Sequence, residues 1–311
     1  LLILLLILPA LPPVTDSVSI ASAPRRLLVR GVNWLGDAVM TTPALLRLRE
    51  ALPQAHFALL THEKLADLWL GHPAVDEVIT FAPQENIFRL ARRLRAGRFN
   101  TALVLPNSFR TALEVRLAGI PRRIGYAARG RNWLLTEAIA WRADGVKMQK
   151  RSVVDIRQLI ADAEQNPQCK PPTPATSPRS HHLFHYLHLV AALGAKPEPL
   201  APQLAVSDAE VVAVKAKFNL PDALLIGLNA GAEYGPAKRW PAERFIATAK
   251  ELRSRLNCAF VIFGGPADNA LAAEIASALG QSSSIPHPAS NIVANLAGRT
   301  SLRELCAALR A

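Results

Sequence analysis

Residues Arg30–Ala38 read RGVNWLGDA and follow directly on the apolar run Leu27-Leu28-Val29. An aliphatic run that enters a glycine-bearing turn and then a helical pattern is a strand–turn–helix unit, the first step of a βαβ fold. Gly31 and Gly36 stand at the spacing of a phosphate-binding loop, which would need lysine and then a hydroxyl after its second glycine. Asp37 and Ala38 stand there instead, so a bare phosphate would meet a carboxylate and no cation. An acid displayed at a crevice suits base chemistry on a hydroxyl. The plainer reading is that Asp37 caps the helix that follows.

Working outward, apolar runs and helical patterns alternate from Arg26 to Tyr126. Strands are expected at 27–30, 57–61, 77–81, 102–105 and 123–126, with helices at 43–51, 64–70, 87–96 and 109–118. Such alternation means a parallel sheet covered by helices, and ligands of these sheets sit beyond the carboxyl ends of the strands. Asp37, after the first strand, and Asn107-Ser108, after the fourth, therefore share one rim. The stretch 143–180 carries five prolines among polar residues and reads as a flexible loop or linker. A helix over 183–193 ends at Gly194, and Pro197, Pro199 and Pro202 mark an interdomain passage. A second alternating block then has strands at 224–228, 259–263 and 292–296, and helices at 242–256, 269–279 and 302–310. The expected organisation is an apolar extension over 1–24, one Rossmann-like unit over 25–200 and a second over 201–311.

The 311 residues carry a formal net charge of +12, which points to an anionic partner or surface. Arg89, Arg92, Arg93 and Arg95 nearly share one helix face and could make a basic patch, unless they are simply a solvated face. Cys169, Cys258 and Cys306 are far apart with no CxxC, which favours a reducing compartment over a disulfide framework or structural zinc. The stretch His181–His188 offers i, i+4 histidine pairs, and reads as the surface of an amphipathic helix rather than as a metal site. Leu1–Ala10 is almost purely aliphatic but too short to span a bilayer. It reads as an extension upstream of the true start.

The second block carries the other informative motif, Asn229–Pro241, NAGAEYGPAKRWP. It follows a strand, contains Gly231, and delivers Lys238 and Arg239 just before a proline-started helix. Backbone amides, cations and a helix N-terminus together suit a diphosphate; the alternative is a loop that is merely basic. Phe263–Asp268 ends the next strand. Its Gly264 allows close approach of a ligand, and Asp268 either accepts from ribose hydroxyls or caps a helix.

Three segments, RGVNWLGDAVMTTPALLRLR, LPNSFRTALEVRLAGIPRRIGY and NAGAEYGPAKRWP, resemble the ADP-heptose:lipopolysaccharide heptosyltransferase family. The likeness runs from about Arg26 to Arg310 and is weakest over 143–180. It implies a GT-B fold of two doubly wound Rossmann-like domains facing a cleft, and inverting transfer of heptose from ADP-heptose to the lipopolysaccharide inner core. Asp37 matches the family's catalytic base and Lys238 the basic residue on the donor diphosphate, with Gly231, Arg239, Gly264 and Asp268 around it. Asn107, Ser108 and the tract of Arg89, Arg92 and Arg93 fall on the acceptor side, where a Kdo/heptose–lipid A acceptor is held. The resemblance also implies a DSG-x-x-H loop and a further half-domain following residue 311, so the second domain is expected to be incomplete. With no DxD triad and only a DxE at Asp162–Glu164 in the insert, no metal or other cofactor is expected to be required, Mg²⁺ acting at most as a stimulant.

The implied setting is cytoplasmic, peripheral at the inner face of the inner membrane, with an anionic lipid surface and no nucleic acid as partner. Three rival readings stand beside it. An NAD-dependent enzyme would need GxGxxG after the first strand, which is missing. A basic nucleic-acid-binding module would explain the charge, but no recognised motif accompanies it. A non-catalytic or truncated paralogue would bind an acidic glycan without transferring a sugar.

Overall fold

A computed structural model describes residues 24–144, 152–165, 180–232, 238–280 and 292–311. Two compact units divide after Gln203. The apolar start, residues 1–23, and Cys169 lie outside the described residues.

In the first unit six strands lie in the order β3-β2-β1-β4-β5-β6, every neighbouring pair parallel. They are β1 (Arg26–Arg30), β2 (His56–His62), β3 (Glu77–Phe81), β4 (Thr101–Val104), β5 (Arg122–Tyr126) and β6 (Glu137–Ile139). This is the doubly wound order, and the direction in which strands are added reverses between β1 and β4, where a crevice opens beyond the strand ends. Leu27, Leu28, Ala102, Leu103 and Val104 are fully buried. A central parallel strand is covered on both faces, which is why these strands read as unbroken apolar runs. Helices α1 (Leu35–Ala51), α2 (Ile87–Ala96) and α3 (Phe109–Leu117) connect them.

The structure departs from expectation at several points. Helix α1 begins eight residues before Pro43, which sits inside it. A proline there removes the N–H that would bond the carbonyl four residues back. That carbonyl belongs to Val39, and the Thr42 hydroxyl donates to it at 2.9 Å, while Thr41 serves Ala38 O at 2.7 Å. The helix expected at 64–70 is a 3₁₀ stretch, Glu63–Trp69. The insert expected as a loop carries α4 (Val153–Gln165), whose Val153, Ile156 and Ile160 recur at helical spacing. β6 was not anticipated.

After α5 (Leu183–Ala191), the second unit has three parallel strands in the order β7-β8-β9: Leu224–Asn229, Cys258–Phe263 and Val293–Asn295. Every residue of β8 is buried. Among the described residues four α-helices accompany them: α6 (Asp208–Phe218), α7 (Ala242–Arg255), α8 (Asn269–Gly280) and α9 (Leu302–Arg310). α6 was also not anticipated, although Ser207 and Glu210 form a complete capping box, a signal visible in the sequence. Glu210 goes on to bind Arg303 of α9. These bonds, together with those to Ser207, pull its carboxyl down to about 2.

Candidate active site

Asp37 stands in the first turn of α1, where the exposed N–H groups and the helix dipole favour a negative charge. Trp34, not Asp37, occupies the N-cap position. The half-buried carboxylate makes no hydrogen bond or ion pair with another described residue. It faces a pocket of about 210 Å³ built entirely from the first unit.

Three elements shape this pocket. The turn after β1 supplies Val32, Asn33 and Trp34, and the turn after β4 supplies Leu105, Pro106 and Asn107, so Asp37 and Asn107 do share one rim. The third wall is α5, which packs against α1 and brings His182, His185 and Tyr186. Tyr126, the last residue of β5, closes the space together with Trp141, their rings stacked 4.4 Å apart and 11° from parallel.

Buried arginines hold the turns in place. Arg30 pairs with Glu114 at 2.8 Å and also reaches Gly31 O and Asn33 Oδ1. Arg131, fully buried, donates to Pro106 O at 2.7 Å, and burial pulls its pKa down to about 10. Gly125 leaves room for it, since a Cβ there would come within 2.7 Å of Arg131 Nη2.

The α5 wall corrects the reading of the histidine stretch as a helix surface only in part, since His181 and His182 are exposed. His185 and Tyr186 are buried. The Tyr126 hydroxyl donates to His185 O at 2.7 Å and lies 2.8 Å from His188 Nδ1. Burial, then the charges of His182, Arg142 and His188, lower the His185 pKa. The Tyr186 phenol lies 3.1 Å from His182 Nε2, and burial followed by the charge of Asp37 raises its pKa. Among the described residues no three His, Cys, Asp or Glu side chains gather as a metal site. Helical periodicity in the stretch signals an apolar face. It does not signal which neighbour that face meets.

The remaining expected acceptor residues lie apart from the pocket lining. Ser108 is the N-cap of α3 and accepts from Thr111 N. Arg93 pairs with Glu85 and donates to Thr80 O, so it is partly committed to the fold. Arg89 and Arg92 are exposed on α2.

In the second unit the turns after β7 and β8 meet. Gly231 lies over Asp268, whose Oδ2 accepts from Gly265 N at 2.9 Å. Arg239 Nη2 stands 3.8 Å from Asp268 Oδ1 and donates to Ala232 O. Asp268 thus ties the two turns together from inside a 3₁₀ turn, Pro266–Asp268, rather than capping α8. Gly264 passes over its Cβ, and Lys238 is exposed beside Arg239. Glycines, amides and two cations stand together ahead of the N-terminus of α7.

A doubly wound parallel unit followed by a second parallel unit with glycine turns at its strand ends is the architecture of GT-B glycosyltransferases. The family model for glycosyltransferase family 9 (heptosyltransferase) matches residues 87–311, and the chain belongs to that family. Lipopolysaccharide heptosyltransferase 2 of Salmonella typhimurium is 31% identical over 90% of this chain and 73% of its own. The solved structure of Escherichia coli ADP-heptose lipopolysaccharide heptosyltransferase II has a TM-score of 0.70 at 27% identity, covering 91% of this chain and 76% of that one. The E. coli heptosyltransferase WaaC, solved with ADP, shares the fold at a TM-score of 0.57 and 18% identity, over 91% of this chain and 78% of that one.

Proposed function

We propose that this protein transfers heptose from ADP-heptose to the inner core of lipopolysaccharide, with inversion, and that Asp37 is the general base. The observation that carries the reading is the Asp37 carboxylate, unpartnered among the described residues and facing a pocket walled by aromatic rings and amides. A relative from Salmonella is named as a lipopolysaccharide heptosyltransferase, and WaaC was solved with ADP.

In the reaction, Asp37 takes the proton of an acceptor hydroxyl as its oxygen attacks the anomeric carbon. The bond from that carbon to the ADP oxygen breaks on the opposite face, inverting the centre. One base suffices, in contrast to the paired carboxylates of retaining glycosidases. Charge grows on the departing diphosphate. Lys238, Arg239 and the amides near Gly231 and Gly264 stabilise it electrostatically, so no metal is required and Mg²⁺ at most stimulates. Asn107 meets the acceptor sugar in the pocket, while Arg89 and Arg92 attract its anionic remainder. The protein works at the cytoplasmic face of the inner membrane. Its charge of +12 favours an anionic leaflet by on the order of 1 kcal/mol per basic residue near the surface, and no helix among the described residues is long and apolar enough to cross it.

The test is Asp37→Asn, assayed for ADP release with ADP-heptose and a Kdo/heptose–lipid A acceptor. General-base help is worth roughly 10²–10⁴-fold, so turnover should fall by that factor while ADP binding persists. Near wild-type turnover would overturn the base assignment. No turnover by the unsubstituted protein, with the acidic acceptor glycan still bound, would favour the glycan-binding reading instead.

A further inference from the structure

We propose that His182 is a positioning residue that keeps the Tyr186 hydroxyl turned away from Asp37, leaving the carboxylate to the reacting sugar hydroxyl. The inference rests on Asp37 being the base. Asp37, His182 and Tyr186 line the same pocket, and the last two are four residues apart, so one helical turn stacks them on a common face. Their rings meet edge to face, 5.0 Å between centroids and 87° apart, with Tyr186 Oη 3.1 Å from His182 Nε2.

Tyr186 is almost wholly buried, and both its burial and the negative charge of Asp37 hold the phenol in its protonated form. It therefore has one proton to donate, and two acceptors line the same pocket with it, the imidazole and the Asp37 carboxylate. In the structure its partner is His182, and Asp37 receives no hydrogen bond from any described residue. A phenol bonded to Asp37 would occupy a carboxylate lone pair and stabilise the anion, which makes it a poorer base. With the imidazole proton on Nδ1, Nε2 accepts the phenol's hydrogen bond instead. The phenol oxygen then offers only lone pairs to the pocket, where a neighbouring sugar hydroxyl can donate to it.

The experiment measures kcat and the donor KM for His182→Ala, His182→Gln, Tyr186→Phe and the double variant His182→Ala/Tyr186→Phe, with Asp37→Asn alongside. Loss of His182 releases the phenol toward Asp37, and one misdirected hydrogen bond lowers kcat by about tenfold with donor KM held within about twofold. Glutamine, whose amide oxygen can accept the same proton, restores most of the loss. Removing the phenol removes the competitor, so the double variant turns over as fast as Tyr186→Phe alone. Multiplying losses in the double variant, or a glutamine variant no better than alanine, overturn the proposal. If His182→Ala does not fold, His182→Gln measured with and without Tyr186→Phe decides, since glutamine must then be harmless in both backgrounds. Near wild-type turnover by Asp37→Asn would sink the base assignment itself. An inactive Asp37→Asn with multiplying histidine and tyrosine losses would sink this inference alone.

Discussion

Arg30 Nε donates to Glu114 Oε2 at 2.8 Å, and both side chains are sealed from solvent. The pair ties the end of β1 to α3, and the same guanidinium grips Gly31 O and Asn33 Oδ1 in the turn leading to Asp37. Its plane also lies over Phe81, 4.3 Å from the ring centroid. Removing one partner of a buried pair leaves a charge with no counter-ion, at a cost of about 3–5 kcal/mol, whereas an apolar replacement of both is often near neutral. Glu114 keeps a second ion pair, with Arg110 at 3.3 Å, so its loss is the one that strands Arg30: Glu114→Gln should destabilise by several kcal/mol in urea unfolding, and Arg30→Met/Glu114→Leu by less. The double variant should still lose turnover, because Asn33 and Gly31 are then no longer held.

His72 makes the first unit sensitive to acid. It is 2% exposed, its Nδ1 accepts from Ala74 N at 3.2 Å, and the Gln203 backbone faces the ring. Burial pulls the imidazole down to about 4, with a partial offset from the Gln203 backbone. The folded value lies below the unfolded one of about 6.5, so the unfolded chain binds more protons between those limits and stability falls with pH. Unfolding free energy should drop by about 2 kcal/mol from pH 7.5 to pH 5 through this group alone. In His72→Asn, which keeps an acceptor for Ala74, that share of the drop should vanish from urea titrations at the two pH values.

The elements most legible in the sequence are those whose burial is local. α2 spans Ile87–Ala96 and α9 spans Leu302–Arg310, as the apolar spacing predicts, and five of the six strands of the first sheet stand where they were expected. β6 is three residues long, too short to leave a periodic trace. The rim position of Asp37 and Asn107 followed from topology, because strand order alone decides which turns are neighbours. The α5 wall did not, since it depends on α5 packing against α1. Nor did Arg30, Arg131 and Arg253, which are buried although arginine is ordinarily a surface residue.

Thr42 is the residue that lets α1 continue through a proline. Its hydroxyl donates to Val39 O and accepts from Gln203 N at 3.1 Å, and it is fully buried. Thr42→Val keeps the shape and removes both bonds, leaving a carbonyl and an N–H unsatisfied. Each such buried group costs about 1–3 kcal/mol. The thermal midpoint should fall accordingly, while Thr42→Ser should retain most of the stability because the hydroxyl remains. Equal stability of the valine and wild-type chains would mean that α1 tolerates Pro43 by other means.

Gly231 carries the last prediction, and it concerns the donor side. A Cβ at this position would lie 2.3 Å from the Asp268 carboxyl carbon, closer than any real contact allows. In Gly231→Ala the carboxylate must therefore swing out, giving up the Gly265 amide and its approach to Arg239. Overpacking of this kind costs about 1–3 kcal/mol of stability. It also releases two groups of the proposed diphosphate site from their alignment. ADP affinity measured by calorimetry should fall at least about tenfold, the worth of one charge-assisted hydrogen bond. Asp268→Ala removes the clashing atoms, so combining it with Gly231→Ala should recover the stability. It should leave ADP affinity low, because the Gly265 amide and Arg239 still lack their anchor. Wild-type ADP affinity in Gly231→Ala would place the nucleotide away from these turns.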